Sequence, residues 1–157
     1  MHKAIMGSEM ANGHEIAMAL RGAYLAMHRQ ADAAVAPFGL TANQFVLLAL
    51  LDERDGVSQR DLVERASSDP NTIRPMLTAL ETKGLVDRQT DPDDGRAWLV
   101  SMTAKGRRLF RKARKESEEF RERLCSNLSG NQQKSLVRML SEVADTMNSN
   151  TVQQLDE

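Results

Sequence analysis

The sequence predicts a mainly α-helical chain with a small two-stranded antiparallel wing: a winged helix-turn-helix combined with long dimerisation helices. Three features carry the expectation: two capped helices around a tight turn, a strand-turn-strand run directly after them, and long amphipathic segments towards both ends. A length of 157 residues fits one such unit, able to bury a core without disulfides or metal. Within it, residues 14–36 and 104–147 are expected to form the helical dimerisation region, 41–103 the winged lobe and 148–157 a polar tail.

The first helix is expected from His14 to Ala36. Ile16, Leu20, Ala23, Met27 and Ala31 recur at three- and four-residue spacing as a core stripe, and Pro37 with Gly39 stops it. The second begins at Thr41, where Thr41 and Gln44 form a capping box and Leu40 can staple onto Phe45. From Phe45 to Leu51 it is apolar all round, hence buried on several sides. Asp55 and Gly56 turn the chain into a short third helix, capped by Ser58 with Asp61 and finished before Ser67.

The fourth helix opens at Asp69, an N-cap residue followed by proline at the first helical position. Its Ile73, Met76, Leu77 and Leu80 form one buried stripe up to Lys83 and Gly84. Leu85 to Thr90 and Ala97 to Met102 are then strand-compatible, with Trp98, Val100 and Met102 on one face. Asp91, Pro92, Asp93, Asp94 and Gly95 turn between them. Thr103 caps one long helix with Phe110, Ala113, Ser117, Phe120 and Leu124 as a packing seam. Ser129 with Gln132 caps a last helix carrying Leu136, Met139, Leu140, Val143 and Met147.

A net charge of −1 conceals an uneven distribution. Residues 57–115 hold 13 basic against 8 acidic side chains, and the remainder 8 against 14. A basic middle between acidic ends suits a protein whose centre meets phosphate and whose ends meet each other. The single cysteine, Cys125, allows no internal disulfide and favours a reducing compartment. No apolar run approaches the ~20 residues needed to span a bilayer, so a soluble, cytoplasmic protein with no membrane partner is expected.

With its apolar stripe committed to the core, the fourth helix presents Asn71, Thr72, Arg74 and Thr78. Asparagine and arginine can bond bidentately to adenine and guanine edges, and threonine can touch a thymine methyl or a phosphate. Gln59 and Arg60, near the start of the third helix, are placed to hold backbone phosphates. At the hairpin tip Arg96 sits on a thin ribbon of the right shape and charge for a narrow minor groove. Asp91, Asp93 and Asp94 would repel phosphate there unless one pairs with Arg96, a role assigned to Asp94. Ser67, Ser68 and Arg88 complete the expected DNA-binding set.

The run from Asp91 through Asp94, Arg96, Val100, Met102 and Thr103 to Gly106 resembles the wing signature of the MarR family. In that signature D-x-R is followed by V-x-L-T-x-x-G; here Met102 stands for leucine. Leu80-Glu81-x-Lys83-Gly84-Leu85-Val86 is similar to that family's recognition-helix exit, and Leu40-Thr41-x-x-Gln44-Phe45 to its second-helix start. The resemblance implies a homodimer joined by its first and last helices and gripping a pseudo-palindromic double-stranded operator. It further implies a repressor, released by a small aromatic or phenolic ligand or by cysteine oxidation, with Arg96 as the minor-groove arginine and Asp94 its partner. Tyr24 and His28, four apart on the first helix, could line the ligand pocket the resemblance places between helical region and DNA-binding lobe; the plainer reading is an interface pair. Pro75 departs from the pattern: the family often has a basic residue there, and proline removes a helix hydrogen bond, which bears on the helix's straightness.

No cofactor or metal is expected, because His2, His14 and His28 lack ligand spacing. No phosphate-cradling glycine loop or nucleophile motif appears, so the chain does not read as an enzyme. Two alternatives remain. A winged helix binding another protein would show an apolar outer face on the fourth helix, against Asn71, Thr72 and Arg74. A thiol-based redox regulator would act through Cys125, which reads instead as a small buried hydrophobe. The expected mechanism puts the fourth helix in the major groove, the wing in the flanking minor groove and the half-sites about one helical turn apart, repressing by occluding polymerase.

Overall fold

A computed structural model describes residues 10–152, so His2 lies outside the described residues. The chain divides into two compact units, Met1–Glu118 and Glu119–Glu157. In the first, α1 (Gly13–Val35) ends in a 3-10 turn at Ala36–Phe38 and is followed by α2 (Ala42–Glu53), β1 (Val57–Ser58), α3 (Gln59–Arg65) and α4 (Pro70–Thr82). Strands β2 (Val86–Thr90) and β3 (Trp98–Met102) then lead into α5 (Ala104–Glu116).

The caps form where side-chain chemistry places them. Asn12 and Glu15 box the start of α1. Thr41 Oγ1 accepts the Gln44 N–H at 3.1 Å while the Gln44 side chain accepts the Thr41 N–H at 3.2 Å. Ser58 Oγ accepts the Asp61 N–H at 3.0 Å. Behind these caps, Leu47, Leu48 and Leu51 of α2 meet Leu62 of α3 and Ile73, Leu77 and Leu80 of α4. Leu85, Val86, Val100 and Met102 close this core from the sheet side, and Phe110 and Ala113 from α5. The Phe45 and Phe110 rings pack with centroids 5.1 Å apart.

The wing belongs to a three-stranded sheet, not a two-stranded one. Its order is β1-β3-β2, with Val57 opposite Val100 on one side of β3 and Val86 opposite Met102 on the other. A two-residue strand is too short to show alternation; it exists because the central strand's second edge needs backbone partners.

Three sequence expectations change. The α1 stripe is not core within the chain: Val35 is buried, but Ile16, Ala23 and Met27 are exposed and Leu20 and Ala31 half-buried. The long helix after Thr103 is broken at Ser117, where ψ reaches 8° and the side-chain hydroxyl donates to the Arg114 carbonyl. Such local bonds compete with the helix ladder, and α6 (Glu118–Cys125) begins anew. Cys125 is exposed, not a buried hydrophobe.

In the second unit, Ser129 and Gln132 cap α7 (Gly130–Val152) as expected. The helix continues through Asn148, the first residue of the expected polar tail, to Val152. Leu136, Met139, Leu140, Val143 and Met147 are all exposed. Among the described residues no single helix is long and apolar enough to cross a membrane.

Candidate nucleic-acid interface

The turn between α3 and α4 is held by hydrogen bonds at both helix ends. Ser67 adopts a left-handed conformation with φ 49°, and the N–H groups of Ser67 and Ser68 donate to the carbonyls of Glu64 and Val63, each at 3.1 Å. This satisfies the last carbonyls of α3 in the arrangement usually built on glycine. Asp69 then caps α4: one carboxylate oxygen accepts the Thr72 N–H at 2.9 Å, the other the Thr72 hydroxyl at 2.7 Å. The Thr72 side-chain hydrogen bond, followed by the backbone one, holds the Asp69 carboxyl below its ordinary value of 3.8.

Stability supplied by ionised Asp69 is therefore fully present above that ordinary value and lost as pH falls through the depressed one. Asp69→Asn keeps a capping oxygen but does not titrate. It is expected to flatten the acid limb of the melting-temperature profile below about pH 4. Parallel acid limbs for variant and wild type would show that the carboxylate contributes nothing there.

Pro75 does not break α4, which runs unbroken from Pro70 to Thr82. The carbonyl deprived of its partner is that of Asn71, and because Asn71 and Pro75 are both exposed, water can take the missing bond.

Between α3, α4 and the wing lies a cleft of about 530 Å³. Gln59 and Arg60 of α3, Arg74 and Glu81 of α4, Arg88 of β2, and Arg96 and Trp98 of the wing line it, so four arginines face one glutamate. The arginines differ. Arg88 is anchored, its Nε 2.6 Å from Glu81 Oε2 and an Nη 3.3 Å from Thr78 Oγ1. Arg60 makes a loose exposed pair with Glu64 at 3.4 Å. Among the described residues the guanidinium groups of Arg74 and Arg96 have no ion pair.

Asp94 does not pair with the Arg96 guanidinium. Its carboxylate accepts the Arg96 backbone N–H at 3.0 Å, and Asp91 likewise accepts the Asp93 N–H at 2.9 Å. Two of the three acids at the tip are thus spent on folding the hairpin, which leaves the arginine free to project.

The other candidates lie elsewhere. Asn71 is exposed on α4, with an amide that has no hydrogen-bond partner among the described residues. Ser67, Ser68 and Thr72 share with Tyr24, Val46 and Met76 a separate cavity of about 260 Å³. His28 does not line it: its ring stacks on Tyr24 at 5.5 Å and its Nε2 sits 3.4 Å from Asp32. Asp32 in turn accepts the Ala42 N–H at 2.6 Å, so His28 serves the joint between α1 and α2. Sequence reasoning missed Glu81, whose pairing with Arg88 spans a turn and has no periodic signal, and the exposure of Trp98. Alternation placed Trp98 with Val100 and Met102, but at the open end of the sheet it remains 49% exposed.

The profile of the MarR family matches residues 40–98. An HTH-type transcriptional repressor of Mycobacterium tuberculosis is 32% identical over 114 residues, covering 73% of this chain and 82% of that protein. The chain belongs to the MarR family. A solved structure of the transcriptional repressor CouR bound to a 23-mer DNA duplex is similar at a TM-score of 0.75 and 31% identity, over 87% of this chain and 99% of that one. A mutant MarR from E. coli complexed with operator DNA has the same fold, with a TM-score of 0.76 at 23% identity over 82% of this chain and 93% of that one. The protein is a MarR-family DNA-binding transcription regulator. Its MarR wing signature now has a physical meaning. Thr103 Oγ1 accepts the Gly106 N–H at 3.0 Å and donates to the Gly84 carbonyl at 2.7 Å, locking the start of α5 to the end of α4.

Proposed function

We propose that the protein is a dimeric repressor of a pseudo-palindromic operator, with α4 in the major groove and Arg96 in the flanking minor groove. The observation that carries this reading is the cleft in which Arg74 and Arg96, without ion pairs among the described residues, stand beside Arg60. Unpaired cations gathered on one surface beside a recognition helix suit a polyanion. A second copy would cover the exposed apolar residues of α1 and α7, among them Ile16, Met27, Leu136 and Leu140. The same cations argue against a protein-binding winged helix, and an unchanged operator affinity after peroxide treatment would exclude control through Cys125.

The testing experiment is a binding titration against the DNA just upstream of the protein's own gene, with a random duplex as competitor. Preference over random DNA is expected. With about six phosphates neutralised, affinity should fall about a thousandfold between 50 and 200 mM salt. Equal affinity for both duplexes at moderate salt would overturn the reading.

The cavity beside Tyr24 supports release by a small aromatic acid. Its volume of about 260 Å³ exceeds the ~150 Å³ that holds a benzene ring, and its wall includes Ser67, Ser68 and Thr72 at the start of α4. An occupant there would bear on the recognition helix directly. Benzoate is expected to raise the melting temperature of wild type and of His28→Ala, but not of Tyr24→Ala. Equal shifts in all three proteins would count against the site.

A further inference from the structure

We infer that the outer edge of α4 reads thymine methyl groups through Pro75 and Thr78, beside a single amide reader at Asn71, an inference that rests on the operator-binding role proposed for that helix. Ile73, Leu77 and Leu80 are buried, and helical spacing sets Asn71, Pro75 and Thr78 along the opposite edge, where all three are exposed.

The polar capacity of this edge is largely spent. Thr78 Oγ1 donates to the Arg74 carbonyl at 3.1 Å and accepts from Arg88 at 3.3 Å. Pro75 has no N–H to offer. Beyond the Asn71 amide, what remains for a partner is a pyrrolidine ring and a threonine γ-methyl. Arg88, held by Glu81 at 2.6 Å, acts as a positioning residue that keeps the Thr78 hydroxyl occupied.

In the major groove thymine offers a 5-methyl group beside a single acceptor, and adenine offers the acceptor and donor pair that an asparagine amide matches. An amide followed by hydrocarbon is therefore complementary to adenine next to thymine. A cytosine amino group or guanine carbonyl set against the same hydrocarbon would lose its water without a replacement bond. A basic side chain at the position of Pro75 would favour guanine instead, so proline there shifts the preferred half-site.

The test is an operator selected from randomised duplexes with the full-length protein, followed by replacement of each thymine with deoxyuridine, which deletes only the 5-methyl. Affinity should fall about fourfold for each methyl read, the effect of one buried methylene-sized group. One or two positions per half-site should respond. Thr78→Ser keeps the hydroxyl and loses the methyl, and Pro75→Ala removes the ring; each should abolish the response at one thymine while binding persists. Selective binding by wild type with no response to any thymine replacement overturns the inference and leaves the operator reading intact. Responses unchanged in both variants overturn it as well. If no duplex is selected over random DNA, the operator reading itself fails and the inference with it.

Discussion

Gly106→Ala is expected to destabilise the protein by about 3 kcal/mol or more, the upper range for forcing atoms into a packed core. For a chain of this size that corresponds to a melting temperature roughly 10 °C lower. A Cβ built on Gly106 would overlap the backbone carbonyl oxygen of Leu85 and stand 2.8 Å from Met102 Cγ. A flexible side chain could yield, but this carbonyl cannot move alone because it also accepts the Thr103 N–H at 3.0 Å. Thr103 and Gly106 join α5 to the segment between α4 and β2, so the variant should also bind DNA less tightly: recognition helix and wing share this joint. Gly95→Ala is the control, since nothing lies within 4 Å of its Cβ. Thermal melts of the two variants should therefore diverge. A Gly106→Ala protein melting with wild type would show that the joint yields.

Arg96→Ala is expected to weaken operator binding about thirtyfold or more at constant salt. Each arginine lost from a groove contact costs about 1–3 kcal/mol, and the two-fold symmetric complex proposed above would lose two. Arg74→Ala should cost a comparable amount, but unevenly across sequences, because in the proposed docking a side chain on α4 would meet base edges whereas the wing arginine would respond to groove width. Anisotropy titrations of both variants against operators altered at single base pairs would separate the two roles. Equal affinity of Arg96→Ala and wild type would remove the wing from the interface. Asp94→Asn tests the tip: because Asp94 holds the Arg96 backbone N–H at 3.0 Å, asparagine can keep that bond while removing a negative charge near phosphate. Affinity should hold or rise, where an ion pair with the guanidinium would have made it fall.

Much of the fold was legible because its signals are local. Thr41, Ser58, Asp69, Thr103 and Ser129 accept hydrogen bonds from N–H groups three residues on, and such caps depend on a few neighbouring side chains. The apolar spacing of Ile73, Leu77 and Leu80 likewise identifies the buried side of α4. From these, with the D-x-R and V-x-L-T-x-x-G run, the winged architecture followed.

Other features depend on where separate segments meet. The partner of Arg88 is Glu81, which it meets only because the end of α4 and β2 are brought together across a turn. β1 exists only because β3 presents a second edge. The apolar stripe of α1 is indistinguishable in sequence from a core stripe, yet within the chain most of it remains exposed: periodicity says which side of a helix avoids water and not what covers it. The residue chemistry of this chain therefore specified its helices, its wing and its arginines. Packing between separate segments then determined which arginines are anchored, which stand free in the cleft, and that Arg88 of β2 reaches the Thr78 hydroxyl on α4.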